Sequence, residues 1–195
     1  MKKFNETDFN EKINKLTTQF YSENKKKILF KSSQKFECAE SITNSIGIEE
    51  LIQRTIFIIP NTNSVFLDYT LFKTYATPDN YYKIITHILS LFKICIQNYG
   101  TYDCHVNLDS FTITAAQRYK DIIELFLQNC MTSNSECEYS VQLTTMYIYN
   151  TPNTFQNISK ILLPLIDPIV KNKIVFYDKA TSQKTLPELF YGLKN

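Results

Sequence analysis

Tryptophan is absent from this chain of 195 residues, and glycine and histidine are scarce, with three and two copies. Gly47, Gly100 and Gly192 stand far apart, whereas a phosphate-cradling loop needs clustered glycines so that backbone N–H groups can close on the anion. A nucleotide-binding reading is therefore disfavoured. His87 and His105 sit in no metal or triad spacing with acids. Cys104 and His105 are neighbours on a strand-like run, so their side chains leave on opposite faces and cannot pair as nucleophile and base. Asp103, Asp109, Asp121 and Asp167 lie on or between different elements. No catalytic residue, metal site or cofactor is expected, and the chain is read as a non-enzyme.

Other shortages narrow the class further. A net charge of +2 supplies no strong field, which disfavours dedicated nucleic-acid binding. The longest apolar run, "IITHILSLFKICI" (84–96), is too short for a membrane span and is interrupted by His87 and Lys93, and "MKKFNETDFNEK" has no apolar signal core. The five cysteines are odd in number and include no CxxC pair, so reduced thiols are expected. "NET" (5–7) and "NIS" (157–159) match a glycosylation acceptor only by chance, with no secretory signal before them. A soluble, unsecreted, cytoplasmic protein is the expectation.

What the chain does contain is apolar pattern: 44% hydrophobic residues, enough for one sizeable core. In "DFNEKINKLTTQF", Phe9, Ile13, Leu16 and Phe20 share a helical face, with Asp8 and Glu11 as a capping box. "KKK" (25–27) reads as a solvated helix end, a strand is expected around Ile28 to Phe30, and a short helix around Ile48 to Ile52. From residue 55 strands and helices alternate. "TIFII" (55–59) is a buried strand stopped by "PNTNS", and a helix runs from the cap Thr77 to the stop at Gly100. "CHVNL" (104–108) is a strand, and a helix opens on the box Thr114 to Gln117. Residues 129–143 form a polar loop, and "TMYIYN" (145–150) and "KIVFY" (173–177) are strands. This alternation predicts an α/β fold with a largely parallel sheet. The expected division is a helical appendage over 1–54 and one domain over 55–195.

Between the last two strands lies "TPNTFQNISKILLPLIDPIV". Phe155, Ile158, Leu162, Leu165 and Ile169 follow helical spacing, and Ile161, Leu163 and Ile166 make the rest of the helix apolar as well. Pro164 should kink it, and Pro168 should force Asp167 out of helical geometry and close it.

Residues 145–177 resemble the signature of the CRAL-TRIO lipid-binding domain, the family of the fungal phosphatidylinositol/phosphatidylcholine transfer proteins. In that family a strand ending in Asn-Ala-Pro leads into a gate helix with a Lys-Pro-Phe-Leu-Asp-Pro core and then a Lys-Ile strand. Asn150, Pro152, Phe155, Pro164, Asp167, Pro168, Lys173 and Ile174 match at that spacing. "CHVNLDSFTITAAQ" is similar to the family's strand and Asp-Leu-x-Gly turn, with Asn107 and Ser110 in place of Asp and Gly. "LPELFYG" (186–192) is similar to its Leu-Pro-x-Glu-x-Gly-Gly close. The preceding helical bundle is missing or reduced to the first fifty residues.

The resemblance implies a sheet that floors an apolar pocket under a movable gate helix. The bound molecule would be a phospholipid or another hydrophobic ligand, exchanged at a membrane surface. The implied lipid wall is Cys104, Val106 and Leu108 with Phe155, Ile158, Leu162, Leu165, Ile166 and Ile169; Tyr102 and Lys173 are the headgroup candidates, and Pro152, Pro164 and Pro168 the hinge. Asp167 is expected to cap or latch the helix end. The Glu-Arg pair that joins the strand lysine around an inositol phosphate falls on Val141 and Gln142, and the Ser and Thr used for phosphatidylcholine fall on Tyr102 and Cys104, so a divergent ligand is expected. The alternative is a protein-interaction scaffold of the same fold with a closed pocket, recruiting a partner such as a small GTPase.

Overall fold

A computed structural model describes residues 6–24, 31–131 and 139–190. The expected strand at 28–30, the lysine run at 25–27 and Gly192 lie outside the described residues. Helix α1 (Glu6–Glu23) buries Phe9 and Ile13 and lays Leu16 and Phe20 on the same core. Asp8 lies within this helix and is not its cap. Helix α2 (Lys31–Ile46), where the sequence pattern was mixed, adds Cys38 and Ile42. Gly47 turns the chain at φ 99, a conformation glycine adopts without steric cost, and starts α3 (Ile48–Thr55), which buries Ile48, Leu51, Ile52 and Thr55. The Arg54 guanidinium lies 4.4 Å from the Phe9 ring centroid, tying α1 to α3. The N-terminal helices thus pack into the same core as the sheet.

Among the described residues five strands form one sheet in the order β1-β2-β3-β4-β5. Strands β1 (Ile56–Ile58) and β2 (Ser64–Asp68) are an antiparallel hairpin, its turn carrying Asn61 at φ 63. The sequence pattern expected a single strand here. The short "SVFLD" run ends in a charge and shows too little alternation to stand out, and its pairing with β1 and β3 is what makes it a strand. After β2 come a single turn, α4 (Tyr69–Phe72), a 3-10 turn at Pro78–Asn80, and α5 (Tyr81–Tyr99), ended by Gly100 at φ 80. Thr77 and Asn80 form the capping box of that 3-10 turn.

Strand β3 (Tyr102–Asn107) runs parallel to β2. The helix after it is capped by Thr112, whose side chain accepts from the Ala115 N–H at 3.2 Å, and not by Thr114. It breaks at Tyr119 into α6 (Ile113–Arg118) and α7 (Lys120–Met131). A short α8 (Tyr139–Gln142) precedes β4 (Leu143–Tyr149), so the far part of the expected loop is helical. The expected gate is two helices, α9 (Phe155–Leu162) and α10 (Pro168–Lys171), joined through a 3-10 turn at Leu163–Leu165. Strand β5 (Ile174–Phe176) and α11 (Lys179–Leu189) end the described chain.

Strands β2 to β5 are consecutive and parallel, so right-handed crossovers put α5, α6, α7, α9 and α10 on one face of the sheet. That face presents Val65, Cys104, Met146 and Ile174 in one row and Leu67, Val106, Ile148 and Phe176 in another. The last helix, α11, lies across the opposite face: the Ser182 hydroxyl accepts from the Asn150 N–H at 2.7 Å, and Phe190 meets Phe66 at 4.9 Å.

Candidate ligand site

Cys104 and Val106 point to the helix-covered face, and His105 to the other, as strand parity requires. Cys104 is buried and its thiol is pushed up to about 12 by desolvation, which makes it apolar wall and not a nucleophile. Leu108 follows the strand and packs half-buried against the core with Val106. Asp103 is raised by burial and spends its carboxylate on the Thr145 N–H at 3.0 Å. Among the described residues no group of His, Cys, Asp and Glu is placed to hold a metal.

Helix α9 has one buried residue. Ile158 is fully buried within the core, and Ile161, Leu162 and Ile166 are half-buried against it. Phe155 packs on Phe176 at 4.5 Å between ring centroids, joining the start of α9 to the sheet's edge strand. Leu163 and Leu165 are half-buried. Ile169 does not continue the inward seam: it is 48% exposed, and Val170 is the buried residue of α10. The reason is geometric, since Pro164 has no N–H to donate into α9 and Ile166 is extended at ψ 134, which together reset the helical phase.

Pro168 begins α10, and Asp167 caps it, its carboxylate accepting from the Ile169 N–H at 2.7 Å. At the other end the chain is pinned up to Thr151. Asn150 takes φ 53 and donates from its amide to Asn107 Oδ1 at 2.8 Å, while the Thr151 N–H donates to the Tyr177 carbonyl at 2.9 Å. Beyond this point the Pro152 carbonyl accepts from the Phe155 N–H at the start of α9.

The two headgroup candidates are directed elsewhere in this conformation. Tyr102 is buried, stacks on Phe92 at 4.1 Å and donates its hydroxyl to the Tyr139 carbonyl at 3.1 Å; burial raises its phenol far above the usual range. Lys173 donates to the carbonyls of Ser140, Val141 and Leu143 at 3.1, 2.9 and 2.6 Å. All three ammonium donors are used at the C-terminal end of α8, where unpaired carbonyls and the helix dipole favour a cation. The ammonium thus bonds the backbone around Val141, whose side chain is 55% exposed.

The opposite sheet face carries a feature that sequence reading missed. His105 stacks on Tyr147 at 4.7 Å, its Nδ1 lies 2.9 Å from the Tyr149 hydroxyl, and its Nε2 is buried without a partner. Burial lowers its pKa to about 4, so it is neutral at physiological pH. Tyr177 stacks on Tyr147 and tilts against Tyr149, completing an aromatic row. The alternation of residues 145–149 marked a strand, but the partner layer, α11, is set only by tertiary packing.

A shallow depression of ≈ 370 Å³ between α3 and α5, lined by Glu49, Ile52, Tyr82, Lys83 and His87 among others, includes no gate residue. No helix among the described residues is long and apolar enough to cross a membrane. The family model described as the CRAL/TRIO domain matches residues 48–191, which takes in α3, the whole sheet, the gate and α11. No curated protein matches the chain.

Proposed function

Since the chain belongs to the CRAL/TRIO domain family, whose members bind and carry lipophilic ligands, we propose that it binds a phospholipid beneath the α9 gate and presents or transfers it at a membrane surface. The observation that carries this reading is the gate itself. One buried residue, Ile158, anchors a helix whose other apolar side chains are only half-buried, with proline at both ends and a break at Pro164. Such a segment loses little packing when it moves, and it shows apolar surface at Ile169, 48% exposed, beside Phe176 of β5 at 42%. Binding needs no reactive group: a diacyl ligand buries several hundred square ångströms, at about 25 cal/mol per Å².

Native mass spectrometry of the purified protein, with transfer between vesicles, tests the proposal. Bound phospholipid and transfer that falls in Val106→Asp are expected; no bound lipid from any host and no transfer would sink it. His105→Asp is not a neutral control here, because His105 is itself buried, stacked on Tyr147.

The burial of Ile158 and the commitment of Lys173 to backbone carbonyls favour a second reading, a scaffold with a closed pocket that recruits a protein such as a small GTPase. Hydrogen exchange over 153–170 separates the two. Vesicles should speed exchange in a working gate and leave a fixed wall unchanged.

A further inference from the structure

Three neighbouring strands end in polar side chains that bond one another at the foot of the gate segment. Asp68 closes β2 and stands opposite Asn107, which closes β3; Asn107 in turn stands opposite Tyr149, the end of β4, and Asn150 comes next. Asn107 is the hub. Its Oδ1 accepts from the Asp109 N–H at 3.1 Å and from the Asn150 side-chain amide at 2.8 Å. A backbone N–H can only donate, so the oxygen of Asn107 is fixed on that side. Its Nδ2 is thereby turned toward Asp68, whose Oδ1 lies 3.5 Å away. The same Asp68 oxygen accepts from the Thr70 N–H and hydroxyl, both at 2.7 Å.

Asn150 is held from two sides. Its side chain is bound to β3, while its own N–H donates to the Ser182 hydroxyl of α11 at 2.7 Å, and that hydroxyl donates to the Asp178 carbonyl at 2.7 Å. Between these two holds the backbone takes φ 53, a region that asparagine enters more readily than most side-chain residues. The polar row thus runs from β2 through β3 to α11 and passes through Asn150, just ahead of Pro152. The gate segment follows at once: the Thr151 N–H donates to Tyr177, the Phe155 N–H to Pro152, and the Asn157 and Ile158 N–H groups to Thr154, each to the carbonyl.

We propose that Asn107 is a positioning residue for the gate: through Asn150 it fixes the point from which residues 151–155 leave the sheet, and Asp68 is the reason that position 107 is an amide. A carboxylate at 107 would serve the two donors but would set a second negative charge against Asp68, and an apolar side chain would serve neither neighbour. This role rests on α9 moving as a gate and not on which ligand it covers.

Amide hydrogen exchange of the full chain without ligand, beside transfer of a fluorescent phosphatidylcholine between phosphatidylcholine vesicles, tests the assignment. In wild type, residues 151–158 should exchange faster than the sheet, by local opening. Asn107→Ala and Asn150→Gly, the second of which keeps the left-handed backbone and deletes only the side chain, should each speed that segment about fivefold to thirtyfold. Because both break the same bond, the double variant should speed it no more than the stronger single one. Should Asn107→Ala fail to fold, Asn150→Gly decides. Asn107→Asp should lower the urea midpoint, and adding Asp68→Asn should restore most of the loss; no recovery would remove Asp68 from the assignment. If the variants lower the urea midpoint while 151–158 exchange as in wild type, Asn107 only supports the fold and the proposal is refuted. It is refuted equally if the segment exchanges no faster than the sheet in wild type, since there is then no gate to position. The expected exchange pattern with no phosphatidylcholine transfer by any of the proteins, wild type included, removes the lipid reading and leaves the positioning role standing.

Discussion

His105 should make the protein acid-sensitive in a defined window. Its imidazole is 5% exposed, lies flat on Tyr147 and shares one hydrogen bond with Tyr149, while Nε2 has no acceptor to stabilise a proton. Burial holds its pKa near 4 in the folded state, against 6.5 in an unfolded chain. A depressed folded pKa means that the unfolded state takes up the proton first. The stability contribution is complete above pH 6.5 and is lost as pH falls from there toward 4. At about 1.36 kcal/mol per pH unit, the loss reaches about 2.5 kcal/mol by pH 4.5. His105→Phe isolates the effect, because it keeps the stacking and removes the titrating group. At pH 7.5 the variant should be less stable than wild type by about 1–3 kcal/mol, since the buried Tyr149 hydroxyl loses its partner. The gap should shrink steadily and close or reverse near pH 4.5. Urea denaturation of both proteins at pH 7.5, 6.5, 5.5 and 4.5 measures it, and carboxylates common to both cancel in the difference. A gap that stays constant across this range would show that the imidazole is not held neutral by burial.

Lys173→Ala should cost about 1–3 kcal/mol in denaturant unfolding by freeing three carbonyls, with hydrogen exchange rising first over 139–146. If stability is unchanged and only vesicle transfer falls, the lysine serves a headgroup and not α8. Ser110 adopts φ 62, where the resembling family has glycine, and its left-handed backbone costs a side-chain residue about 1–2 kcal/mol. Ser110→Gly should therefore raise stability by up to about 1 kcal/mol after loss of the Lys73 hydrogen bond, and a lower midpoint in thermal unfolding would contradict the strain argument.

Much of the architecture was legible in local pattern. Pro164, Pro168 and the apolar run 155–170 announced a broken apolar helix, because a missing N–H and a restricted neighbour act on the chain wherever it folds. Gly100 marked the end of α5 for a similarly local reason. The motif around Asn150 and Lys173 identified the family that residues 48–191 match. Strand parity separated Cys104 from His105 before any partner strand was known. Where local signals were weak or doubled the reading slipped: β2 is too short to stand out, and Thr112 took the capping role from Thr114 because the chain leaves extended geometry there, at ψ 166.

The sequence by itself therefore determined the alternation of strands and helices, the largely parallel sheet and the presence of a broken apolar segment, since periodicity, proline and glycine act through near neighbours. Partners far apart in the chain were decided only by the tertiary structure. Lys173 meets carbonyls 30 to 33 residues earlier, Ile169 turns outward because a 3-10 turn shifted its phase, and His105 is covered by the rings of Tyr147 and Tyr149 from the next strand. Hydrogen bonding and desolvation depend on what stands within a few ångströms, and for these side chains that neighbourhood exists only once the sheet has brought distant segments together.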